Sequence, residues 1–267
     1  LNRNLFIGAF PLIADEKDDS FKLLNEIEKN DLDRSVISLL RAKDKVNVIT
    51  SMVGGVGKTY FSIKMFDKLN QLGKRVCLID FDLRKEGISS SIGEENAKVL
   101  NMKDLDLDDN QIDSCIIKVP DNRDPLKFFN SEELDIFLEK IRENFDLVLI
   151  DTPPMGTFID SKLLSQKSNS IIVVLSSHLS TFGEIFSIQK ELDSLNKPDI
   201  EVKFFLNKVR YFLEIFNYKF RYPLYGDYGY YDYKFLKKEK NQNFIWKFIN
   251  FYFIKYKKLF SKLLNRR

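Results

Sequence analysis

Histidine is almost absent from this sequence, which contains only His178 in 267 residues. Catalytic triads that depend on histidine, and zinc sites built from histidine and cysteine, are therefore close to excluded. Cysteine is scarce as well, because Cys77 and Cys115 are too few for a disulfide framework. Cys77 falls in an apolar run, which is typical of a buried free thiol.

Long apolar runs are also missing: none approaches the roughly 20 residues needed to span a bilayer. No signal peptide is visible, and because the first residue is Leu1 and not methionine we expect a fragment or a processed product. The net charge of +3 argues against a dedicated nucleic-acid binder. Positive charge is concentrated in residues 241–267, which hold seven Lys or Arg and no acidic residue.

Apolar residues, at 44% of the chain, suffice for a sizeable core, and their spacing predicts alternating strands and helices. The predicted strands are Val46–Thr50, Arg75–Asp80, Cys115–Val119, Leu147–Asp151, Ser170–Leu175 and Val202–Leu206. The predicted helices are 19–43, Thr59–Leu72, Ser131–Glu143, Ser161–Gln166 and Thr181–Leu195. Continuously apolar strands separated by helices predict a doubly wound α/β fold, with a mostly parallel sheet and helices on both faces.

Four segments follow from this pattern. Residues 1–18 are interpreted as a linker or an edge strand, and residues 19–210 as the α/β domain. Residues 211–240 form a tyrosine-rich tail, and residues 241–267 a basic aromatic segment. Within the domain, the acidic stretch 99–114 is predicted to be an exposed loop.

The segment from Ser51 to Thr59 reads Ser-Met-Val-Gly-Gly-Val-Gly-Lys-Thr and lies between a predicted strand and a predicted helix. That context is typical of a phosphate-binding P-loop, whose glycines let main-chain N–H groups surround phosphate oxygens. Lys58 can bridge the β- and γ-phosphates, and the Thr59 hydroxyl can bind Mg²⁺. The residues expected to bind nucleotide are Ser51, Gly54, Gly55, Val56, Gly57, Lys58, Thr59, Tyr60 and Arg84. A plain glycine turn into a helix is the structural alternative.

Two apolar strands end in aspartate, at Asp80 and at Asp151, and Asp82 follows the first of them. Ligands of open α/β sheets gather at the carboxyl ends of the strands, where carboxylates can hold Mg²⁺ or accept a proton. Thr59, Asp82 and Asp151 are the candidate metal ligands, and Lys58, Asp80, Asp82 and Asp151 the candidate catalytic residues. Either aspartate taken alone could instead cap a following turn. Arg84 could contact phosphate or form a surface ion pair.

These motifs together resemble the bacterial tyrosine-kinase (BY-kinase) family, whose fold is similar to that of the MinD/ParA ATPases. The family's Walker A motif is matched at Ser51, Gly55, Gly57, Lys58 and Thr59, with Gly54 in place of its proline. Its Asp-x-Asp-x-Arg motif is matched at 80–84, and its Asp-Thr-Pro-Pro motif at 151–154. The nearest match to its oligomerisation motif is Asp31-x-x-Arg34. The MinD/ParA signature lysine is replaced by Val53.

The resemblance implies an ATP- and Mg²⁺-dependent protein-tyrosine autokinase that controls exopolysaccharide or capsule biosynthesis and export. It implies the kinase domain of a chain-length-determinant autokinase, on the cytoplasmic face of the bacterial inner membrane. The implied partners are a membrane-embedded segment or subunit and further copies of the chain, which would be phosphorylated in trans. Asp80 is then the expected base for the tyrosine hydroxyl, with Asp82 as the alternative.

The tyrosine-rich tail offers candidate phosphoacceptors in residues 222–233, where glycine, proline and aspartate interrupt helix and strand patterns. These tyrosines are Tyr222, Tyr225, Tyr228, Tyr230, Tyr231 and Tyr233. The resemblance implies the same role, since the family autophosphorylates a C-terminal tyrosine cluster. A low-complexity aromatic linker is the simpler interpretation. Residues 241–267 could form a helix that binds an anionic membrane surface, a helix docked on the domain, or a disordered tail.

Two further functions stay open at the level of sequence. A MinD/ParA-like ATPase switch would hydrolyse ATP without transferring phosphate to tyrosine. A degenerate nucleotide-binding module would bind nucleotide without turnover.

Overall fold

Strands and helices alternate along the chain in the order that the hydrophobic pattern predicts. The computed structural model describes residues 6–11, 19–42, 45–82, 88, 98–102, 114–119, 125–129, 131–197 and 199–209. The strands of this part are β1 (Phe6–Pro11), β2 (Val46–Thr50), β3 (Val76–Asp80), β4 (Lys98–Asn101), β5 (Cys115–Lys118), β6 (Leu147–Asp151), β7 (Ser170–Ser176) and β8 (Glu201–Val209). Its helices are α1 (Asp19–Leu40), α2 (Lys58–Gln71), α3 (Pro125–Phe129), α4 (Glu132–Asn144), α5 (Asp160–Lys167) and α6 (Phe182–Asp193).

These strands form one sheet in the order β1-β8-β7-β2-β6-β3-β5-β4, and all neighbouring strands are parallel. The predicted α/β class with a parallel sheet is therefore confirmed. Phe6–Pro11, within the stretch interpreted as a linker or an edge strand, is the edge strand β1 and pairs with β8. The division of the chain into four segments stays a prediction.

Both faces of the sheet are buried, which explains why its strands are apolar without alternation. Consecutive residues of β2 serve opposite faces: Val48 joins one apolar cluster and Ile49 the other. Phe61 of α2 belongs to the cluster of Ile49, and Leu138 of α4 to that of Val48. Helices thus cover the sheet from both sides. Among the described helices, none combines the length and apolar character that a bilayer span requires.

Two elements were not expected from the sequence. The stretch 99–114 was predicted to be a loop, but its first residues belong to strand β4, Lys98–Asn101, at the edge of the sheet. That prediction was wrong there because β4 is stabilised by pairing with β5, and a strand of four residues with only two apolar ones, next to an acidic stretch, does not reveal this pairing. The short helix α3 was also missed. Its Phe128 and Phe129 pack near Phe81, with ring centroids at 6.1 and 5.9 Å.

The two cysteines are free and buried, as expected for Cys77. They face each other in register on β3 and β5. Burial raises the pKa of the Cys77 thiol well above its ordinary value, and the neighbouring Cys115 adds to that effect. The Cys77 thiol is therefore a packing group and a poor nucleophile.

The sheet order brings the two acidic strand ends together. Strand β6 lies between β2 and β3, so the ends of these three strands are adjacent at the carboxyl edge. Asp80 and Asp151 are register partners across β3 and β6, and Asp151 pairs with Ile49 of β2. The loop that leaves β2 therefore begins beside both carboxylates, where open α/β sheets bind their ligands.

Candidate nucleotide-binding site

The loop between β2 and α2 has the backbone of a phosphate cradle. Gly55 and Gly57 have φ angles of +76° and +93°, in the left-handed region that favours glycine. Gly57 also has no room for a side chain, because a Cβ there would lie 2.1 Å from Nδ2 of Asn207. Helix α2 begins at Lys58, so its first N–H groups, which lack intrahelical acceptors, open onto the loop.

Lys58 lies across this loop. Its ammonium group donates to Oγ of Ser51 at 3.1 Å, and that hydroxyl donates to the carbonyl oxygen of Val53 at 2.7 Å. Only 7% of Lys58 is exposed. Lys58, Ser51 and Val53 are thus linked by two hydrogen bonds inside the loop. These bonds hold the Lys58 ammonium group where phosphate oxygens would enter.

Thr59 connects the P-loop to the second acidic strand. Its hydroxyl donates to Oδ2 of Asp151 at 2.7 Å. Burial raises the pKa of Asp151 to about 7, against the opposing effects of the Thr59 hydrogen bond and the positive charge of Lys58. The other oxygen, Oδ1, is buried and has no hydrogen-bond partner among the described residues.

Asp80 lies beside Asp151, but its carboxylate is held by main-chain N–H groups of the segment that follows β3. Its two oxygens accept from the main-chain N–H groups of Asp82 and Ile88, both at 3.2 Å. Burial raises the pKa of Asp80 to about 6, although these two hydrogen bonds oppose the shift. Each carboxylate oxygen has a second lone pair, so Asp80 retains the capacity to accept a proton.

The structure brings the predicted metal ligands to one end of the sheet. In the part of the chain that the structure describes, no group of three or more His, Cys, Asp or Glu side chains could hold a metal ion. Mg²⁺ suits such a sparse donor set, since it keeps several waters and is commonly held by one or two carboxylates together with phosphates. The unpartnered oxygen of Asp151, next to the Thr59 hydroxyl, fits an oxygen-seeking cation.

The segment after β6 supports the P-loop from below. The Thr152 N–H and hydroxyl both donate to the carbonyl oxygen of Ile49, and the Met155 N–H donates to that of Ser51 at 2.7 Å. A Cβ on Gly156 would lie 2.5 Å from the carbonyl oxygen of Met52. The absence of a side chain at Gly156 therefore leaves the room that Met52 occupies.

Tyr60 is placed differently from the other predicted nucleotide ligands. Its hydroxyl donates to Oε1 of Glu28 on α1 at 2.6 Å, and its ring meets Phe10 edge-on at 5.9 Å. Lys64 lies over the same ring. The side chain of Tyr60 thus ties α2 to α1 and β1, and only its main-chain N–H, in the first turn of α2, opens onto the loop.

Other predicted residues fall elsewhere. Gly54 is exposed, Val56 is buried in the loop, and Asp82 is partly exposed after β3. Arg84, the tyrosines of 222–233 and the segment 241–267 lie outside the described residues. Sequence reasoning missed Asn207 and Lys208 at the end of β8, which contact the P-loop main chain. The only available signal was that two polar residues follow directly on the predicted strand Val202–Leu206.

Comparisons with known proteins agree with this geometry. The model of the AAA domain family matches residues 44–202. The tyrosine-protein kinase wzc of Salmonella typhimurium is 27% identical over 218 residues, covering 76% of this chain and 28% of its own length. The tyrosine-protein kinase CpsD of Streptococcus pneumoniae is 25% identical over 206 residues, covering 73% of this chain and 87% of its own.

A solved structure supports the fold. The kinase domain of the Escherichia coli tyrosine kinase ETK superposes with a TM-score of 0.59 at 17% identity, covering 78% of this chain and 91% of that one. The two relatives, both named tyrosine-protein kinases, confirm the resemblance to bacterial tyrosine kinases. The chain nevertheless spans little more than a quarter of the length of the wzc relative, at 28%.

Proposed function

We propose that this chain, which belongs to the AAA domain family, is the catalytic domain of an ATP-dependent protein-tyrosine autokinase. The observation that carries the proposal is the hydrogen bond from Thr59 to Asp151, with Asp80 on the adjacent strand. That hydrogen bond connects the P-loop to Asp151, and Asp80 beside it is a second carboxylate that can accept a proton.

The phosphates of ATP would enter the cradle of main-chain N–H groups between Gly54 and Thr59. Lys58 would exchange its contact with Ser51 for phosphate oxygens, and so neutralise charge that develops during transfer. A magnesium ion held by Thr59, Asp82 and Asp151 would supply further charge neutralisation on the phosphates. The protein's contribution is mainly positioning and electrostatic stabilisation.

Asp80 is the proposed proton acceptor. The tyrosine oxygen would form a bond to the γ-phosphorus as the bond from that phosphorus to the β-phosphate oxygen breaks. The phenolic proton would pass to Asp80, and ADP would leave. A carboxylate with a pKa of about 6 is mostly ionised at neutral pH and still basic enough to take up this proton. Asp82 is the alternative acceptor.

The proposed substrates are the tyrosines of residues 222–233 in another copy of this chain. Both relatives described above are named tyrosine-protein kinases. We further propose, on the basis of this resemblance, that the domain acts on the cytoplasmic face of the inner membrane. There it would act with a membrane-embedded chain-length-determinant partner in exopolysaccharide or capsule export. Native mass spectrometry with and without phosphorylation would reveal whether the oligomer changes.

The central test is incubation of the chain with Mg-ATP, followed by mapping of phosphotyrosine by mass spectrometry. We expect phosphate on the 222–233 cluster in the unchanged protein and none in Lys58→Met. Lys45→Met is the matched control, because Lys45 donates to a main-chain carbonyl of Arg142, far from the loop. Asp80→Asn and Asp82→Asn separate the two candidate acceptors.

Other outcomes would redirect the assignment. ATP consumption without phosphotyrosine would favour a switch ATPase of the MinD/ParA type. Nucleotide binding without turnover would favour a degenerate module.

The proposal that residues 241–267 bind an anionic membrane has its own measurement, which is co-sedimentation with anionic liposomes of the chain with and without this segment. Equal binding of both would contradict it.

A further inference from the structure

The end of β8 contacts the phosphate-binding loop across an intervening strand. In the sheet, β7 lies between β8 and β2, the strand that leads into the loop. Nδ2 of Asn207 donates to the carbonyl oxygen of Val56 at 2.9 Å, and Nζ of Lys208 donates to that of Gly55 at 2.7 Å. Two consecutive residues therefore hold two consecutive carbonyls of the loop.

This contact is itself fixed by local structure. Oδ1 of Asn207 accepts from the N–H of Lys208 at 2.8 Å, which orients the side-chain amide so that its NH₂ group faces the loop. The carbonyl oxygen of Asn207 accepts from the N–H of Ser177, and the Ser177 hydroxyl donates to the carbonyl oxygen of Lys208. Lys208 has a φ of +57°, a conformation that persists in a residue other than glycine when its surroundings hold it.

The fit between Asn207 and the loop leaves no spare room. Asn207 is only 4% exposed. Its Nδ2 lies where a Cβ of residue 57 would stand, at a separation of 2.1 Å from that position. The glycine is thus required by its positive φ and also by the amide packed against it.

Because the peptide unit is planar, these contacts to the carbonyl oxygens also fix the direction of the neighbouring main-chain N–H groups. In a trans peptide the carbonyl oxygen of one residue and the N–H of the next point in opposite directions. A carbonyl of Gly55 that is held outward by Lys208 therefore directs the N–H of Val56 inward. The carbonyl of Val56, held by Asn207, directs the N–H of Gly57 in the same way.

We propose that Asn207 and Lys208 are positioning residues that hold the loop in its phosphate-accepting shape through the carbonyls of Val56 and Gly55. The inference rests on the proposed function in that the loop binds ATP. Neither residue needs to touch the phosphates for this role. Preorganisation of this kind should appear mainly as nucleotide affinity, because it lowers the cost of ordering the loop on binding.

The test compares Lys208→Met and Asn207→Ala with Lys45→Met as the matched lysine control. Lys208→Met keeps the aliphatic stem and removes the donor, at a position that is only partly buried, so the variant should fold. We expect the dissociation constant for Mg-ATP, measured by calorimetry, to rise about fivefold in Lys208→Met and about tenfold or more in Asn207→Ala. Lys45→Met should bind as the unchanged protein does. In the phosphorylation assay the KM for ATP should rise while kcat stays within about twofold.

Amide hydrogen exchange in nucleotide-free protein provides a second readout. We expect faster exchange at Val56 and Gly57 in both variants, and unchanged exchange in Lys45→Met. This readout separates positioning from simple attraction between Lys208 and phosphate, since no phosphate is present. Asn207→Ala makes the same separation, because it alters no charge.

The outcomes distinguish this inference from the proposed function. If the unchanged protein binds Mg-ATP and the variants bind it equally well, the positioning role is overturned whatever the exchange shows. If the unchanged protein does not bind Mg-ATP, the proposed function fails, and the exchange rates alone decide whether Asn207 and Lys208 order the loop. Unchanged exchange in that case overturns the inference as well.

Discussion

Two buried carboxylates, Asp151 in the site and Asp31 on α1, resemble each other in every respect except what faces them. Both are almost inaccessible, at 1% and 2% exposure, and in each one oxygen has no hydrogen-bond partner among the described residues. Burial raises both pKa values, to about 7 for Asp151 and about 6 for Asp31. The Arg34 guanidinium donates to Asp31 at 3.0 Å, whereas the bond to Asp151 comes from a neutral hydroxyl.

The difference teaches how a structural acid and a site acid are told apart. Asp31 has a cation on its own helix, so its charge is balanced within the chain. Asp151 lies near Lys58, but also near Asp80 and Asp82, whose negative charges raise its pKa further. A cluster of this kind is stabilised by a cation from outside the chain, such as a metal ion.

The largest effect should come from replacing each carboxylate by its neutral isostere. We expect Asp151→Asn to lower tyrosine phosphorylation about 100-fold or more, because the proposed metal ligand is lost at the point where charge would develop. Asp31→Asn should leave the rate within about twofold. Initial rates at saturating Mg-ATP check both variants. A rate loss in Asp31→Asn as great as that in Asp151→Asn would remove the distinction.

The next effect is a pH dependence of metal binding. A carboxyl with a pKa of about 7 must lose its proton before it can bind Mg²⁺. Between about pH 6 and about pH 8 its ionised fraction rises about tenfold, so the apparent Mg²⁺ affinity should rise about tenfold as well. Titration of Mg²⁺ in the presence of ADP measures this slope. In Asp151→Asn the slope should flatten, while in Asp31→Asn it should match the unchanged protein.

Glu28 on α1 extends the comparison to a third acid. Its carboxylate accepts a hydrogen bond from the Tyr60 hydroxyl and forms an ion pair with Lys64. Tyr60→Phe removes one hydrogen bond and leaves the lysine at 3.5 Å from the carboxylate. We expect the free energy of unfolding to fall by about 1 kcal/mol. The affinity for Mg-ATP should not change, since the side chain of Tyr60 faces α1. Denaturant unfolding and calorimetry on the same protein check the two parts, and weaker binding would mean that the ring contacts nucleotide after all.

The smallest effect concerns the stability of the metal-free protein. The folded-state pKa of Asp31 is raised from 3.8 to about 6, so folding favours the protonated form. Its contribution to stability is present at low pH and is lost as the pH rises through this interval. Asp31→Asn should therefore match the unchanged protein near about pH 4 and exceed its Tm by about 2 °C at about pH 7.5. Thermal unfolding at the two pH values checks the sign.

Much of this architecture was predictable because its determinants are local. Val46–Thr50 and Leu147–Asp151 coincide with β2 and β6, since buried parallel strands are apolar at every position. Helix α2 begins one residue before its predicted start, at Lys58. The left-handed residues of the loop between β2 and α2 are glycines, Gly55 and Gly57, so they could be expected from the sequence.

What could not be predicted depends on contacts between distant residues. Asn207 reaches Val56 across 151 positions, and no periodicity in the sequence relates them. The buried state of Asp31 likewise arises from packing against β1, where a Cβ on Gly8 would lie 2.9 Å from the carbonyl oxygen of Asp31. Sequence analysis identified Asp80 and Asp151 as residues at the carboxyl ends of strands, and the sheet order then makes them register partners. It could not foresee that main-chain N–H groups bind both oxygens of Asp80.

The pairing of β1 with β8 also has a mechanical consequence. Parallel neighbours run in the same direction. The start of β1 therefore lies at the amino ends of the strands, and the end of β8 lies at their carboxyl ends. Tension applied between a segment ahead of Phe6 and one behind Val209 would load the hydrogen bonds between these strands together, in shear, and would not peel them apart one by one. Such a pull would therefore have to break several hydrogen bonds at once before β1 separated from β8.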